Sequence, residues 1–254
     1  MHFLSQVGHF LVHNWGGADG IWVRSLNQLE LSAAVVVAAV LVGVGVGAVL
    51  GHTGRGGFVV VNAGNAARAV PSLALLTLLV IQPSISLTAN GFLASFLALF
   101  ALAVPPILTN AYVGVREVDP DVRSAARGMG MTATQILWRV EAPLALPLVM
   151  AGVRTAAVEV VATATLAAFV SYVDLGTYIF AGLNTQNHVE TFSGALLVAI
   201  LAFLTDTVLA LVQLAVTPAG LRRSGHLART RGVGADAVTV RQAAGASATS
   251  SASA

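Results

Sequence analysis

The apolar positions form long runs rather than an amphipathic rhythm. A membrane-spanning helix needs about 20 mostly apolar residues, and five stretches meet this. They are Leu31–Gly51, a stretch within Gly57–Ile81, about Phe92–Tyr112, about Leu144–Val170 and about Gly194–Val216. The second is interrupted by Asn62, Asn65, Arg68 and Pro71, and the third contains Pro105 and Pro106. In residues 1–30, Phe3, Leu4, Val7, Phe10, Leu11 and Trp15 recur at helical spacing, which predicts a short external amphipathic helix lying on the membrane surface. No basic n-region precedes an apolar h-region there, so the pattern is not that of a cleaved signal. Residues 31–220 are read as the membrane domain. Residues 221–254 are basic at first, and Ala243–Ala254 hold only Ala, Gly, Ser and Thr, a composition expected to be disordered.

Composition sharpens this picture. Hydrophobic residues are 56% of the 254 and charged residues 9%, with a mean hydropathy of +0.83. About 25% charge is usual for a soluble domain, so an ordinary soluble enzyme and a disordered chain are both excluded. There is no cysteine, hence no thiol chemistry or disulfide. All 13 basic residues are arginine, and on such a chain they report topology rather than nucleic-acid binding.

Five spans place the termini on opposite sides. The segments Met1–Glu30, Gln82–Gly91 and Ser171–Ser193 hold one arginine, Arg24. The 52–56 turn, the 113–143 loop and the tail hold ten: Arg55, Arg116, Arg123, Arg127, Arg139, Arg222, Arg223, Arg229, Arg231 and Arg241. Arg68 and Arg154 lie inside spans. Arginine-rich loops stay cytoplasmic, so the N-terminus is expected outside, and the 113–143 loop and C-terminus inside.

The 113–143 loop is too long and too patterned for a simple connection, and long structured loops are usually functional. Asp119-Pro120 is a helix-start signal. Ala125 and Ala126 form a small face, Gly128 and Gly130 end the first helix, and Thr132 or Thr134 can cap a second carrying Ile136, Leu137 and Val140. The physics predicts a compact helix-turn-helix docking element.

These residues resemble the EAA loop of binding-protein-dependent ABC importer permeases. That motif runs E-A-A, three residues, G, nine residues, I, one residue, L-P. Here it reads Ser124-Ala125-Ala126, three residues, Gly130, nine residues, Val140, Glu141, Ala142-Pro143. Ser124 stands where the motif has glutamate, Val140 for isoleucine and Ala142 for leucine. Val70–Leu76, Pro105–Gly114, Asp119-Pro120, Ala125–Thr132, Pro143–Thr155 and Thr163–Phe169 look like the osmoprotectant subgroup, the permeases for glycine betaine, carnitine, choline and proline betaine. The resemblance implies an all-α membrane protein with the type I importer fold, in a bacterial cell (inner) membrane. It implies cytoplasmic ATPase subunits contacted through Ser124, Ala125, Ala126, Gly130, Val140 and Pro143. It also implies a second permease subunit, identical or related, and an extracytoplasmic substrate-binding protein.

Arg68, Arg154 and Glu159 are the charges deepest in the spans, with Asp206 in the fifth. Ionisable groups at that depth face a bundle interior or a cavity. They are read either as interhelical ion pairs or as a translocation path carrying both signs, suited to a zwitterion. Gly43, Gly47 and Gly51 form G-x-x-x-G steps, which allow close helix contact within the protomer or in a dimer. Pro71, Pro105, Pro106 and Pro147 are kinks or hinges. Phe169, Tyr172, Tyr178 and Phe180 are an interfacial belt or, less simply, a cage. His9 and His13 sit at i and i+4, but no third ligand type stands near them, and no metal is expected.

The chain lacks G-x-x-x-x-G-K-[ST], so ATP and Mg are expected on a partner ATPase, and no cofactor, catalytic residue or nucleic-acid partner is expected here. The rival reading is a stand-alone secondary carrier or channel; five spans without an inverted repeat count against it. An intramembrane enzyme is disfavoured because the histidines lie outside the spans and the deep acids are isolated in sequence.

Overall fold

The structure is a computed structural model that describes residues 2–17, 19–57, 60, 62, 72–82, 91–170 and 172–217. Its helices are α1 (His2–His13), α2 (Ile21–Thr53), α3 (Ser72–Ile81), α4 (Phe92–Arg116), α5 (Pro120–Gly128), α6 (Ala133–Ile136), α7 (Ala142–Ala164), α8 (Gly176–Asn184) and α9 (His188–Val216). A π-turn, Leu137–Glu141, joins α6 to α7, and a 3-10 turn, Thr165–Val170, follows α7. No strand occurs among the described residues. Met1–Gln213 form one compact unit. Of the second, Leu214–Ala254, only Leu214–Thr217 are described, and Leu214–Val216 are helical.

The core is built from stripes repeating every four residues. On α2 the buried positions include Leu31, Val35, Ala39, Gly43, Gly47 and Gly51; on α4 they include Leu99, Ala103, Ile107, Ala111 and Val115. Such rows are the ridges that interdigitate in close helix packing. A Cβ on Gly47 would stand 2.6 Å from the Leu108 carbonyl oxygen, and one on Gly51 would stand 2.7 Å from that of Tyr112. The glycine stripe is therefore consumed in packing α2 on α4 within the protomer and is not available as a dimer contact. Burial of Ala145, Val149, Val153, Ala156, Val160 and Ala164 on α7 completes the core.

The order of neighbours gives the helix directions. Gly43, Gly47 and Gly51 meet Ile107, Ala111 and Val115 in turn, so α2 and α4 run parallel. Gly114 meets Ala145 while Gly152 meets Asn110, so α7 is antiparallel to α4. Pro147 contacts Gln213 and Arg154 contacts Asp206, so α9 is antiparallel to α7. Two parallel helices joined in sequence require the chain to return between them, and α3 lies in the connecting segment.

Among the described residues, four helical stretches are long and apolar enough to cross a membrane: Ile21–Thr53, Phe92–Arg116, Ala133–Val170 and His188–Val216; Ser72–Ile81 is a shorter apolar helix. Of the expected second span the described residues are 57, 60, 62 and 72–81, the last forming this short helix. Asn65, Arg68 and Pro71 lie outside the described residues, as does the expected tail 221–254.

Helix α2 begins at Ile21, ahead of the expected span start at Leu31, and polar residues in this extension have partners. Gln28 is fully buried, its amide donates to the Val161 carbonyl at 2.8 Å, and its Oε1 accepts from the Leu175 N–H at 3.3 Å. The apolar face of α1 docks on the protein as well: Phe3 meets Phe192, Phe10 meets Tyr178, and Val7 is buried. Leu4, Val12 and Trp15 remain exposed.

Candidate functional site: the 113–143 loop and a charged groove

The loop after α4 folds as the local signals dictate. The Asp119 carboxylate accepts from the Asp121 N–H at 2.8 Å, and Pro120 opens α5 at a position where its missing N–H costs nothing. Gly130 turns the chain with φ of +80°, a conformation that favours glycine. Thr132 then caps α6 with a reciprocal capping box to Gln135. The expected helix-turn-helix is present, with Thr132 rather than Thr134 as the cap.

The structure divides the six loop residues. Ser124, Ala125, Gly130 and Pro143 are exposed, and Val140 is half-buried. Ala126 is only 2% exposed and faces its own protein, which corrects its expected place beside Ala125 on a partner-facing surface. On a helix, residues one apart point some 100° away from each other, so adjacent alanines cannot share one narrow face. The outward apolar surface comes instead from Val122, Met129, Trp138 and Leu144, with Met129 76% exposed.

Behind the loop lies a charged cluster that the sequence reading missed. Glu141, 1% exposed, ends the π-turn. One of its oxygens is 2.8 Å from Arg123 Nε, and the other is 2.7 Å from His52 Nδ1. Arg123 also donates to the carbonyls of Val115 and, at 3.4 Å, Arg116. The motif places Glu141 at an unspecified position, and a lone acid entering an apolar run was the available signal.

Among the deep charges, Arg154 and Asp206 form a two-pronged pair, Nε–Oδ1 2.5 Å and Nη2–Oδ2 2.6 Å. Together with Ala151, Thr155, Glu159 and Gln213 they line an open groove of about 660 Å³ between α7 and α9. Arg154 thus has the interhelical partner that one of the two readings required. Glu159 borders the same groove with no hydrogen-bond or ion-pair partner among the described residues. Arg68 lies outside the described residues.

At the other end of the bundle the aromatic group splits. The hydroxyl of Tyr172 donates to the Asn27 carbonyl at 3.0 Å and that of Tyr178 to the Asp19 carbonyl at 3.1 Å. The Arg24 guanidinium lies 4.6 Å from the centre of the Tyr178 ring. Burial raises the Tyr172 hydroxyl pKa to about 12. Phe169 and Phe180 contact each other at 6.0 Å, while Tyr172 meets Phe92 and Tyr178 meets Phe10. Asp174 is fully buried, and one of its oxygens accepts from the Gly176 N–H at 2.8 Å. Desolvation pushes its carboxyl up to about 7. No group of three metal-ligating side chains occurs among the described residues.

An all-α membrane bundle with a helical loop between two long helices is the architecture of a type I ABC importer's transmembrane subunit. A chain of the MetNI methionine ABC transporter in an inward-facing conformation superposes with a TM-score of 0.68 at 23% identity, covering 78% of this chain and 97% of that one. Residues 30–219 match the family described as "Binding-protein-dependent transport system inner membrane component", and the chain belongs to that family. It is 36% identical to the choline transport system permease protein OpuBB of Bacillus subtilis, over 89% of this chain and all of that one. It is also 36% identical to the glycine betaine/carnitine/choline transport system permease protein OpuCB of the same organism, over 86% and 97%. Identity to the carnitine transport permease protein OpuCB of Listeria monocytogenes is 34%, over 87% and 95%. The chain is thus a multi-pass membrane subunit of an ABC transporter, a class that works with an ATPase and a binding protein, and not a stand-alone carrier.

Proposed function

We propose that this subunit imports small zwitterionic or quaternary-ammonium osmoprotectants across a bacterial inner membrane. Two permease subunits, of the same or a related chain, form the path. A secreted binding protein delivers the solute from outside. ATP and Mg²⁺ are handled by cytoplasmic ATPase subunits that dock on the exposed loop face around Ser124, Ala125 and Met129. The parallel α2 and α4, with the ten-to-one arginine asymmetry, support five crossings with the N-terminus outside.

The observation that carries the reading is the groove holding Arg154, Asp206 and Glu159. Charges at membrane depth are retained where they face water or protein rather than lipid. Both signs in one groove suit a solute whose own charges are separated but sum to zero. The test is uptake of radiolabelled choline, glycine betaine and carnitine by cells producing the subunit with its ATPase and binding protein. At least one should enter, and Glu159→Gln should lower uptake while the protein stays at wild-type level in the membrane. Absence of uptake for all three would remove the substrate assignment, and wild-type uptake by Glu159→Gln would remove Glu159 from the path.

A further inference from the structure

The ends of three long helices and the cytoplasmic loop converge on one carboxylate. His52 is in the last turn of α2, Glu141 stands at the foot of α7, and Arg123 belongs to α5 while holding the carbonyls of Val115 and Arg116 at the end of α4. We propose that Glu141 is a positioning residue that locks the loop to α2, so that displacement of the loop by the ATPase reaches the α2–α4 pair as movement. The inference rests on the reading that this loop is the ATPase contact.

The physical case begins with what flanks α5. Glu117–Asp119 precede it as a turn, and Met129–Thr132 follow it around the left-handed Gly130. Segments of that kind absorb dihedral change, so a push on α5 alone would be dissipated there. The cluster bypasses both. Its contacts at 2.8 and 2.7 Å are made by two different elements to the two oxygens of one nearly dry carboxylate. Removing a single member of such a cluster leaves the others buried without compensation, which makes it resist partial disruption. The π-turn Leu137–Glu141 adds a residue to the helical path, a feature frequent at functional positions. It is continuous with α7, so Glu141 moves with that helix. α2 and α4, in turn, are held in register by the glycine stripe, so movement given to the end of one is given to both.

The test uses the complete transporter in proteoliposomes and reads solute imported per ATP hydrolysed. Glu141→Gln keeps the shape of the side chain and removes the charge. It should recover the ATPase at the wild-type level and let ATP be hydrolysed, yet import at least 10-fold less per ATP. His52→Gln, which removes only the α2 link, should lower the same ratio several-fold. The cysteine-free chain allows His52→Cys/Glu141→Cys, and a short thiol cross-linker between the two should restore at least half of the ratio. If the transporter imports none of the three solutes named above, the substrate reading fails alone. The comparison is then made on the distance between spin labels at Leu41→Cys on α2 and Phe203→Cys on α9, which should shift on ATP–vanadate trapping in wild type and not in Glu141→Gln. An unchanged ratio or an unchanged shift in Glu141→Gln overturns the proposal. Loss of the ATPase in step with uptake overturns it too, as a docking defect. So does failure of Glu141→Gln to insert alongside a wild-type result for His52→Gln, because Glu141 would then serve stability alone.

Discussion

Arg154 on α7 and Asp206 on α9 are joined by a two-pronged ion pair at 2.5 and 2.6 Å, with both side chains about a third exposed to the groove. The pair bridges the two helices across that groove, so each residue is the other's compensation at membrane depth. Asp206→Ala should therefore reduce the amount of protein inserted, because it strands the arginine. The double variant Arg154→Ala/Asp206→Ala should recover part of the loss. Quantitative membrane blots of the three variants check this; a double variant worse than either single one would show that the pair does not compensate itself.

Packing of α2 on α4 predicts a contrast between neighbouring glycines. Gly47→Val should destabilise by about 2 kcal/mol or more, the usual range for overpacking, since even its Cβ would lie 2.6 Å from a carbonyl oxygen. Gly45 has nothing within 4 Å of a modest extension. Gly45→Ala should be neutral or stabilising by about 0.5 kcal/mol through helix propensity. Thermal midpoints in detergent report both.

Asp174 predicts a pH dependence of stability. Burial raises its carboxyl from 3.8 to about 7, so between those values the folded chain holds a proton that the unfolded chain has released. Its contribution to stability is complete below about pH 4, falls as pH rises toward 7, and is gone above it. Asp174→Asn mimics the protonated form and should flatten this dependence. Midpoints measured from pH 4 to 8 should converge at pH 4 and favour the variant at pH 8.

Sidedness follows from the arginine count and the helix directions. A reporter active only outside the cytoplasm should work when fused within 82–91 and fail when fused within 113–127. The reverse pattern would invert the topology.

Much of this was legible because it is local. Asp119-Pro120, Gly130 and Thr132 each carry their own backbone preference, and the loop folds as they indicate. The start of α2 was not legible. Asn27, Gln28 and Glu30 look like the end of an apolar run, and only the distant Val161, Val173 and Leu175 backbone groups that bond Asn27 and Gln28 make a helix tenable there. The same holds for Glu141, whose partners are 89 and 18 residues away. The role of Ala126 was misread because a three-letter motif does not reveal which of two adjacent alanines faces inward. The glycine stripe left protomer packing and dimerisation open until Leu108 and Tyr112 were placed beside it.

The central claim is that the exposed face of α5 is where the ATPase docks. Ala125 is the position to test it, since it is exposed while Ala126 is buried. Ala125→Glu adds volume and charge at a surface that the claim says becomes a packed contact, where an unpaired charge costs several kcal/mol. The loop lies outside the apolar spans, so insertion should be normal. Gly130→Val should behave similarly through strain in the left-handed turn alone, because its Cβ would meet nothing within 4 Å. The decisive measurement is recovery of the ATPase on membrane-inserted Ala125→Glu. The account predicts that recovery and uptake both fall at least 10-fold against wild type. Full recovery of the ATPase with full uptake would contradict it.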